Sequence, residues 1–396
     1  MESENVLITG ASGFLGCRLA ERLALGTKHR VTAMVHRFSG PGIARLARLP
    51  VKLVAADVRN PESLLRTAEN CDIIIHLAYG SSGDEKTKRE ITVSGTDNVL
   101  QAAMKRNVRK MIHFSTAAVH GSNPKALEVN ESSPIEASRD VYIEGKIEAE
   151  KLVWQYHREH GLPVVVFRPP LIYGPYGFYW TTRIVQEIHS GAVLVDDGKG
   201  AANLIYVDNL IDAVFLAMEK DAGEGEAFIV VDDDRLTWRQ VYDAYADKIG
   251  NHPPIRYMSE KEIEAARRGD YPNDLKSWVV SPFLLFPDAV KTCLQSPGMQ
   301  KKMMDIPWLR MVKDRLPKKT VEKMKYGENP REVPIAEISK PSYTLLPNKD
   351  LIELYSSHAR FSNEKIKKTL GYEQRIPFSE AMDLTYTWLK YQRLVS

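Results

Sequence analysis

Tyr142 and Lys146 stand four positions apart in Tyr142-Ile-Glu-Gly-Lys146, at the start of a stretch with helical spacing. On a helix, i and i+4 are neighbours on one face, so a phenol and an ammonium lie one turn apart. A phenol in water has a pKa of about 10, and a nearby ammonium or a cationic nicotinamide favours its phenolate. Such a pair can move a proton at a carbinol or carbonyl oxygen. Thr116, in Phe114-Ser-Thr-Ala-Ala-Val-His-Gly121, adds a hydroxyl that can hydrogen-bond a substrate oxygen. A second stretch, Gly10-Ala-Ser-Gly13-Phe-Leu-Gly16, follows the apolar run Val6-Leu7-Ile8. Glycines there let the backbone turn tightly and let a ligand approach closely. The helix that follows, with Leu15, Leu19 and Leu23 on one face, offers free N–H groups and partial positive charge to phosphate. The spacing is G-x-x-G-x-x-G, not the G-x-G-x-x-G of the standard dinucleotide fingerprint. A pyrophosphate seat and an acid/base pair together suggest hydride chemistry.

The surrounding pattern says how these residues are positioned. Through about Tyr173, apolar strands alternate with helical segments. Strands are predicted at Val6–Thr9, Val31–Val35, Val51–Ala55, Ile73–Leu77, Met111–Ser115 and Val164–Phe167. Helices are predicted at Leu15–Leu25, Pro61–Glu69, Val93–Arg106 and Val141–His160. Near-continuous apolar strands separated by helices imply an α/β, doubly wound parallel sheet of Rossmann type. Ligands then bind beyond the C-terminal strand ends, where every one of these motifs falls. The pattern divides into a dinucleotide-binding domain over 1–173 and a smaller substrate lobe over 174–396, with segments near 203–231 returning to the first. After the second strand comes Val35-His36-Arg37, with Val35 where an NAD site usually carries a carboxylate and Arg37 following. An arginine accommodates a 2′-phosphate, which favours NADP over NAD. Asp57 and Val58 are placed for adenine, and Leu77, Ala78 and Tyr79 for close passage of the cofactor. His76 is read as a packed strand-end residue.

Lysine plus arginine number 54 against 51 acids, so no bulk charge argues for nucleic acid. Cys17, Cys71 and Cys293 have neither disulfide-framework nor metal-ligand spacing. The first strand starts almost at the N-terminus, leaving no room for a signal peptide, and the longest apolar run, Trp278 to Phe286, is broken by Pro282. A cytoplasmic protein is expected. From Lys301 to Lys325, cations interleave with Met, Ile, Trp and Leu. That stretch reads as a solvated helical surface, or as a cationic face toward a substrate diphosphate or an anionic membrane.

The ordered set of motifs resembles the extended short-chain dehydrogenase/reductases, and within them the NAD-dependent epimerase/dehydratase branch acting on nucleotide sugars. The set comprises Gly10-x-x-Gly-x-x-Gly16, Asp57-Val58, His76-Leu-Ala-Tyr-Gly80, Gly95-Thr-Asp-Asn-Val-Leu100, Tyr142-x-x-x-Lys146 and Arg168-Pro-Pro-Leu-Ile-Tyr-Gly-Pro175. It continues through Asn203–Leu210 and Leu236–Arg239, and resumes at Ala359-Arg-Phe-Ser-Asn363. The resemblance implies that Gly10, Gly13, Phe14, Leu15 and Gly16 hold the pyrophosphate, Asp57 and Val58 contact adenine, and Leu77, Ala78 and Tyr79 border the nicotinamide ribose. Thr116 would orient the substrate hydroxyl and Tyr142 act as general acid/base. Lys146 would hold the ribose and lower the tyrosine pKa, and Pro170 would sit against the carboxamide. Arg256 and Arg360 are candidates for a substrate diphosphate. Four departures stand out. Glu90-Ile-Thr92 replaces an asparagine common before Val-x-Gly-Thr, Gly145 replaces the serine common before the lysine, Ala117-Ala118 replaces the acids of sugar dehydratases, and Leu171 replaces a common substrate-binding asparagine. An NAD(P)-dependent nucleotide-sugar epimerase is the first expectation. A reductase or dehydrogenase with an exchanging cofactor and a non-catalytic dinucleotide-binding regulator are the alternatives. A homodimer is expected.

Overall fold

The computed structural model describes residues 3–268 and 346–395. Cys293, the apolar run 278–286 and the cationic stretch 301–325 lie outside the described residues. Among the described residues, no helix is long and apolar enough to cross a membrane.

Seven parallel strands form the main sheet: β1 (Asn5–Thr9), β2 (Arg30–Val35), β3 (Lys52–Ala55), β4 (Ile73–His76), β5 (Lys110–Phe114), β6 (Val164–Arg168) and β7 (Glu226–Ile229). Their order is β7-β6-β5-β4-β1-β2-β3. This is the expected Rossmann-type α/β sheet, and its order reverses between β1 and β4, where such folds leave a ligand crevice. The strands are apolar on both faces because helices cover both: Val6, Ile8, Ile73, Ile75, Ile112 and Val164 to Phe167 are fully buried. β7, from the second half of the chain, extends the sheet by pairing Glu226–Ile229 with Val165–Arg168.

Two helices carry the motifs. Helix α1 (Phe14–Gly26) buries Gly16, Cys17, Leu19, Ala20 and Leu23 on one face. Helix α2 (Val141–His160) starts where the Asp140 carboxylate accepts from the N–H groups of Tyr142 and Ile143, and stops at Gly161 in the left-handed conformation. Its buried stripe, Gly145, Lys146, Ala149, Glu150 and Val153, includes two charged residues. The predicted helix at 93–106 begins earlier. A helical run starts at Glu85 and passes through a π-helical turn, Glu90–Ser94, before the α-helix Gly95–Lys105. The Thr92 hydroxyl accepts from the Gly80 N–H at 3.0 Å, and Thr92's carbonyl accepts from the Thr96 hydroxyl at 2.5 Å. Single π turns of this kind frequently sit at functional sites.

The chain forms two compact units. The first holds the chain up to Gln186, Leu194–Asn251 and the chain from Asn348 onward; the second takes Glu187–Val193 and the residues from His252 to Pro347. The first unit contains the whole main sheet. It also contains helix α3 (Val207–Glu219), helix α4 (Trp238–Ile249), helix α5 (Lys349–Ser356) and helix α6 (Phe378–Tyr391). In the second unit, Arg256 opens a short strand, Arg256–Met258.

Candidate active site

The glycine turn is built for close approach. Gly10 has φ of +69°, and a Cβ there would lie 2.8 Å from the Ala78 nitrogen; one on Gly16 would lie 2.4 Å from the Gly10 carbonyl oxygen. Any side chain would fill the cradle. Helix α1 has no side-chain cap, so the N–H groups of its first turn, at Phe14, Leu15 and Gly16, have neither a helical nor a side-chain acceptor. This donor set fits a diphosphate. A cavity of about 280 Å³ opens beside it, lined by Gly10, Gly13, His36, Asp57, Val58 and Leu77–Tyr79 among others. A second, of about 520 Å³, is lined by Ser12, His36, Arg37, Ser39 and Arg59. Asp57 is clamped by Arg59, whose Nη2 lies 2.6 Å from its carboxylate, and the His36 ring stands 3.4 Å away. The Arg59 hydrogen bond holds the Asp57 carboxyl below its usual range.

At the ends of β4 and β5, Thr116, Tyr79, Tyr142 and Lys146 come together. The Thr116 hydroxyl acts on the Tyr142 phenol, opposing the upward push of burial. Thr116 Oγ1 also accepts from the Ala118 N–H at 3.2 Å, which fixes its rotamer. The Tyr79 ring stands edge-on to Tyr142 at 5.5 Å. Lys146 Nζ donates to the Phe114 carbonyl at 2.7 Å and lies 5.3 Å from the Tyr79 ring centroid. Burial pulls the Lys146 ammonium down to about 8, against support from Glu150. Tyr142 keeps 39% of its surface open. Burial nevertheless pushes the phenol up to about 12, and the Thr116 hydroxyl is the opposing influence. Below the pair, His76 bridges the hydroxyls of Thr9 and Thr96 at 2.7 and 3.0 Å, so it is a packed strand-end residue.

Thr116 lines a third cavity, of about 290 Å³. Its apolar lining comes from Ala117, Ala118, Pro124, Pro170, Leu171, Trp180, Leu351, Leu354 and Phe361. Several of its polar residues already serve the backbone. Asn203 bridges Ala359 and Phe361, Asn348 caps α5 through Leu351, and the Ser357 hydroxyl accepts from Ala359.

The sequence profile of the NAD dependent epimerase/dehydratase family matches residues 6–231, more than half of the chain. The chain belongs to this family. Among curated relatives, a 2-alkyl-3-oxoalkanoate reductase of Shewanella oneidensis is 29% identical over 59% of this chain and 63% of its own length. Short-chain dehydrogenase/reductase family 42E member 1 of Homo sapiens is 31% identical over 55% of this chain and 59% of its own. The alignments thus span about three fifths of these relatives. A solved UDP-glucose 4-epimerase of Thermotoga maritima superposes with a TM-score of 0.66 at 19% identity, covering 98% of this chain and 99% of that one, a likeness of fold.

Within this epimerase/dehydratase framework, three features escaped sequence reasoning. Thr92 packs under helix α2: a Cβ on Gly145 would meet its methyl at 3.4 Å. Glu150 and Arg168 form a buried ion pair, with Arg168 also donating to the Glu131 carbonyl at 3.3 Å. Burial works against the Glu150 carboxylate, yet Arg168 holds its pKa below the ordinary value. The i+4 spacing from Lys146 to Glu150 was the available signal. The third is His113, buried beside His76 with ring centroids 5.5 Å apart and with neither nitrogen hydrogen-bonded. Of the proposed diphosphate ligands, Arg360 donates to the Leu236 carbonyl and lines a separate polar cavity with Asp232–Asp234. Its neighbour Phe361, not Arg360, lines the cavity at Thr116.

Proposed function

We propose that this protein is an NAD(P)-dependent reductase of a ketone whose apolar substituent occupies the cavity at Thr116. The cavity lining is the observation that carries this reading. A pyranose brings a hydroxyl on nearly every carbon, and a buried hydroxyl without a partner is costly. Asn203, Asn348 and Ser357 are engaged with backbone groups, whereas the apolar lining rewards burial of a hydrocarbon.

A phenol pushed up to about 12 is protonated at neutral pH and able to act as a general acid. When bound, the nicotinamide dinucleotide supplies the hydride. Tyr142 gives its phenolic proton to the carbonyl oxygen as the carbon is reduced. Thr116 hydrogen-bonds that oxygen beside Tyr142 and holds it in line. Lys146 positions the ribose and keeps positive charge near the forming phenolate. The turn at Gly10, Gly13 and Gly16 seats the diphosphate, with Asp57 and Val58 toward adenine and Pro170 toward the carboxamide. Arg37 and Arg59, on the cavity beyond His36, favour the 2′-phosphate of NADP. The reductase name of the Shewanella relative supports a ketone substrate.

Nucleotide-sugar epimerisation uses the same Thr116, Tyr142 and Lys146, and Ser122, Arg183 and Asp350 on the cavity favour it. One experiment separates the two. The purified protein is denatured and the released dinucleotide identified, and the native protein is assayed for NADPH oxidation by undecan-2-one and for interconversion of UDP-glucose. A protein that releases little dinucleotide and oxidises NADPH with the ketone supports reduction. Tightly held NAD, with UDP-glucose converted and no net cofactor oxidation, overturns it.

A further inference from the structure

We propose that Leu351 and Leu354 of α5 set the length of the apolar chain this site accepts. The proposal rests on the ketone-reductase reading and deepens it. Helix α5 has two apolar faces with different work. Ile352 and Tyr355 face inward: the Tyr355 ring lies 4.6 Å from Trp238, and its hydroxyl lies 2.8 Å from that of Tyr242. Leu351 and Leu354, three positions apart and so on one side of the helix, line the same cavity as Thr116. Leu354 is only half-buried, so its bulk serves the cavity more than the core.

The walls around these leucines are firm. The Ala201 N–H donates to the Ser357 carbonyl at 2.6 Å, just past the end of α5. Gly200 passes so close that a Cβ there would lie 1.9 Å from the Tyr355 carbonyl oxygen. Trp180, also on the cavity, accepts at its carbonyl from the Tyr245 hydroxyl at 3.1 Å, and its ring lies 5.5 Å from Trp238. A closely packed wall of this kind does not widen to admit one more methylene without strain. Each methylene buried before the wall is reached adds roughly fourfold to kcat/KM. Beyond that length kcat/KM falls.

The test is NADPH-dependent reduction of straight-chain methyl ketones, from butan-2-one to pentadecan-2-one, by the wild type, Leu354→Ala and Leu354→Phe. Thermal melting checks that each variant is folded, and Leu351→Ala serves as the second position. In Leu354→Ala the length at which kcat/KM turns down moves out by about two to three carbons, the number deleted from the side chain. In Leu354→Phe the longest good ketone loses at least about tenfold in kcat/KM, through KM. Butan-2-one kinetics change less than those of the long ketones in both, since its chain buries the fewest methylenes. Ketones reduced with the same length limit in wild type and folded variants would overturn the gauge and leave the reductase reading intact. A wild type that reduces no ketone while interconverting UDP-glucose overturns both.

Discussion

Lys146→Met should make the folded protein more stable near neutral pH while removing its activity. The Lys146 side chain is buried, with one hydrogen bond to Phe114 O and an aromatic face 5.3 Å from its nitrogen. Burial lowers its pKa from 10.5 to about 8, which corresponds to roughly 3 kcal/mol of penalty on the ammonium. Methionine keeps the length of the stem and discards the charge, at the cost of an unpartnered carbonyl worth about 1 kcal/mol. The expected net gain below pH 8 is on the order of 1–2 kcal/mol. The sign of the pH dependence follows from linkage. Between the folded value of about 8 and the unfolded value of 10.5, the unfolded chain holds a proton that the folded chain has shed, so wild-type stability rises with pH. The variant's advantage is therefore largest below pH 8 and shrinks through the alkaline window, by about 2 kcal/mol near pH 9.5. Urea unfolding followed by tryptophan fluorescence, for both proteins at neutral and alkaline pH, measures the difference and cancels groups common to both. A variant less stable than wild type at pH 7, or a difference independent of pH, would refute the claim that this lysine is held at a structural cost for its chemistry.

Tyr142→Phe should lower kcat by about 10²–10⁴, the range of a lost general acid, with NADPH affinity nearly unchanged because the ring still packs; isothermal titration with NADPH and steady-state rates separate the two. Arg37→Ala should raise the dissociation constant for NADPH by roughly 10- to 100-fold and that for NADH by little, since the charge-assisted hydrogen bond is made only to a 2′-phosphate. Equal losses for the two would make Arg37 a surface residue.

How much of this was legible follows from how local each signal is. Strands β1 to β6 and helix α2 announce themselves within a few residues. The apolar runs that place Ile8, Ile75 and Val166 inside are contiguous, and Asp140 and Gly161 mark both ends of α2 in the sequence. The glycine turn was legible for the same reason: Gly10 and Gly16 are needed where backbone meets backbone, at Ala78 and at Gly10 itself. The π turn at Glu90–Ser94 was not, because helical periodicity alone carries no mark of a turn set by one hydroxyl on the Gly80 N–H. The least local signals are electrostatic and volumetric. Whether Lys146 acts on Tyr142 or turns to the Phe114 carbonyl depends on a strand thirty-two residues upstream. The cavity at Thr116 gathers Ala117, Leu171, Trp180, Leu354 and Phe361 from five separated stretches, and no window of sequence contains it. Motifs report on the half of the reaction shared by all relatives, the dinucleotide and the proton, because those groups need fixed residue types at fixed spacing. The substrate half is recognised by whichever side chains the fold happens to bring to the same wall. Leu171 shows the limit: the sequence revealed that an asparagine was missing, and only its neighbours in space, Ala117, Trp180 and Phe361 among them, show which surface it joins.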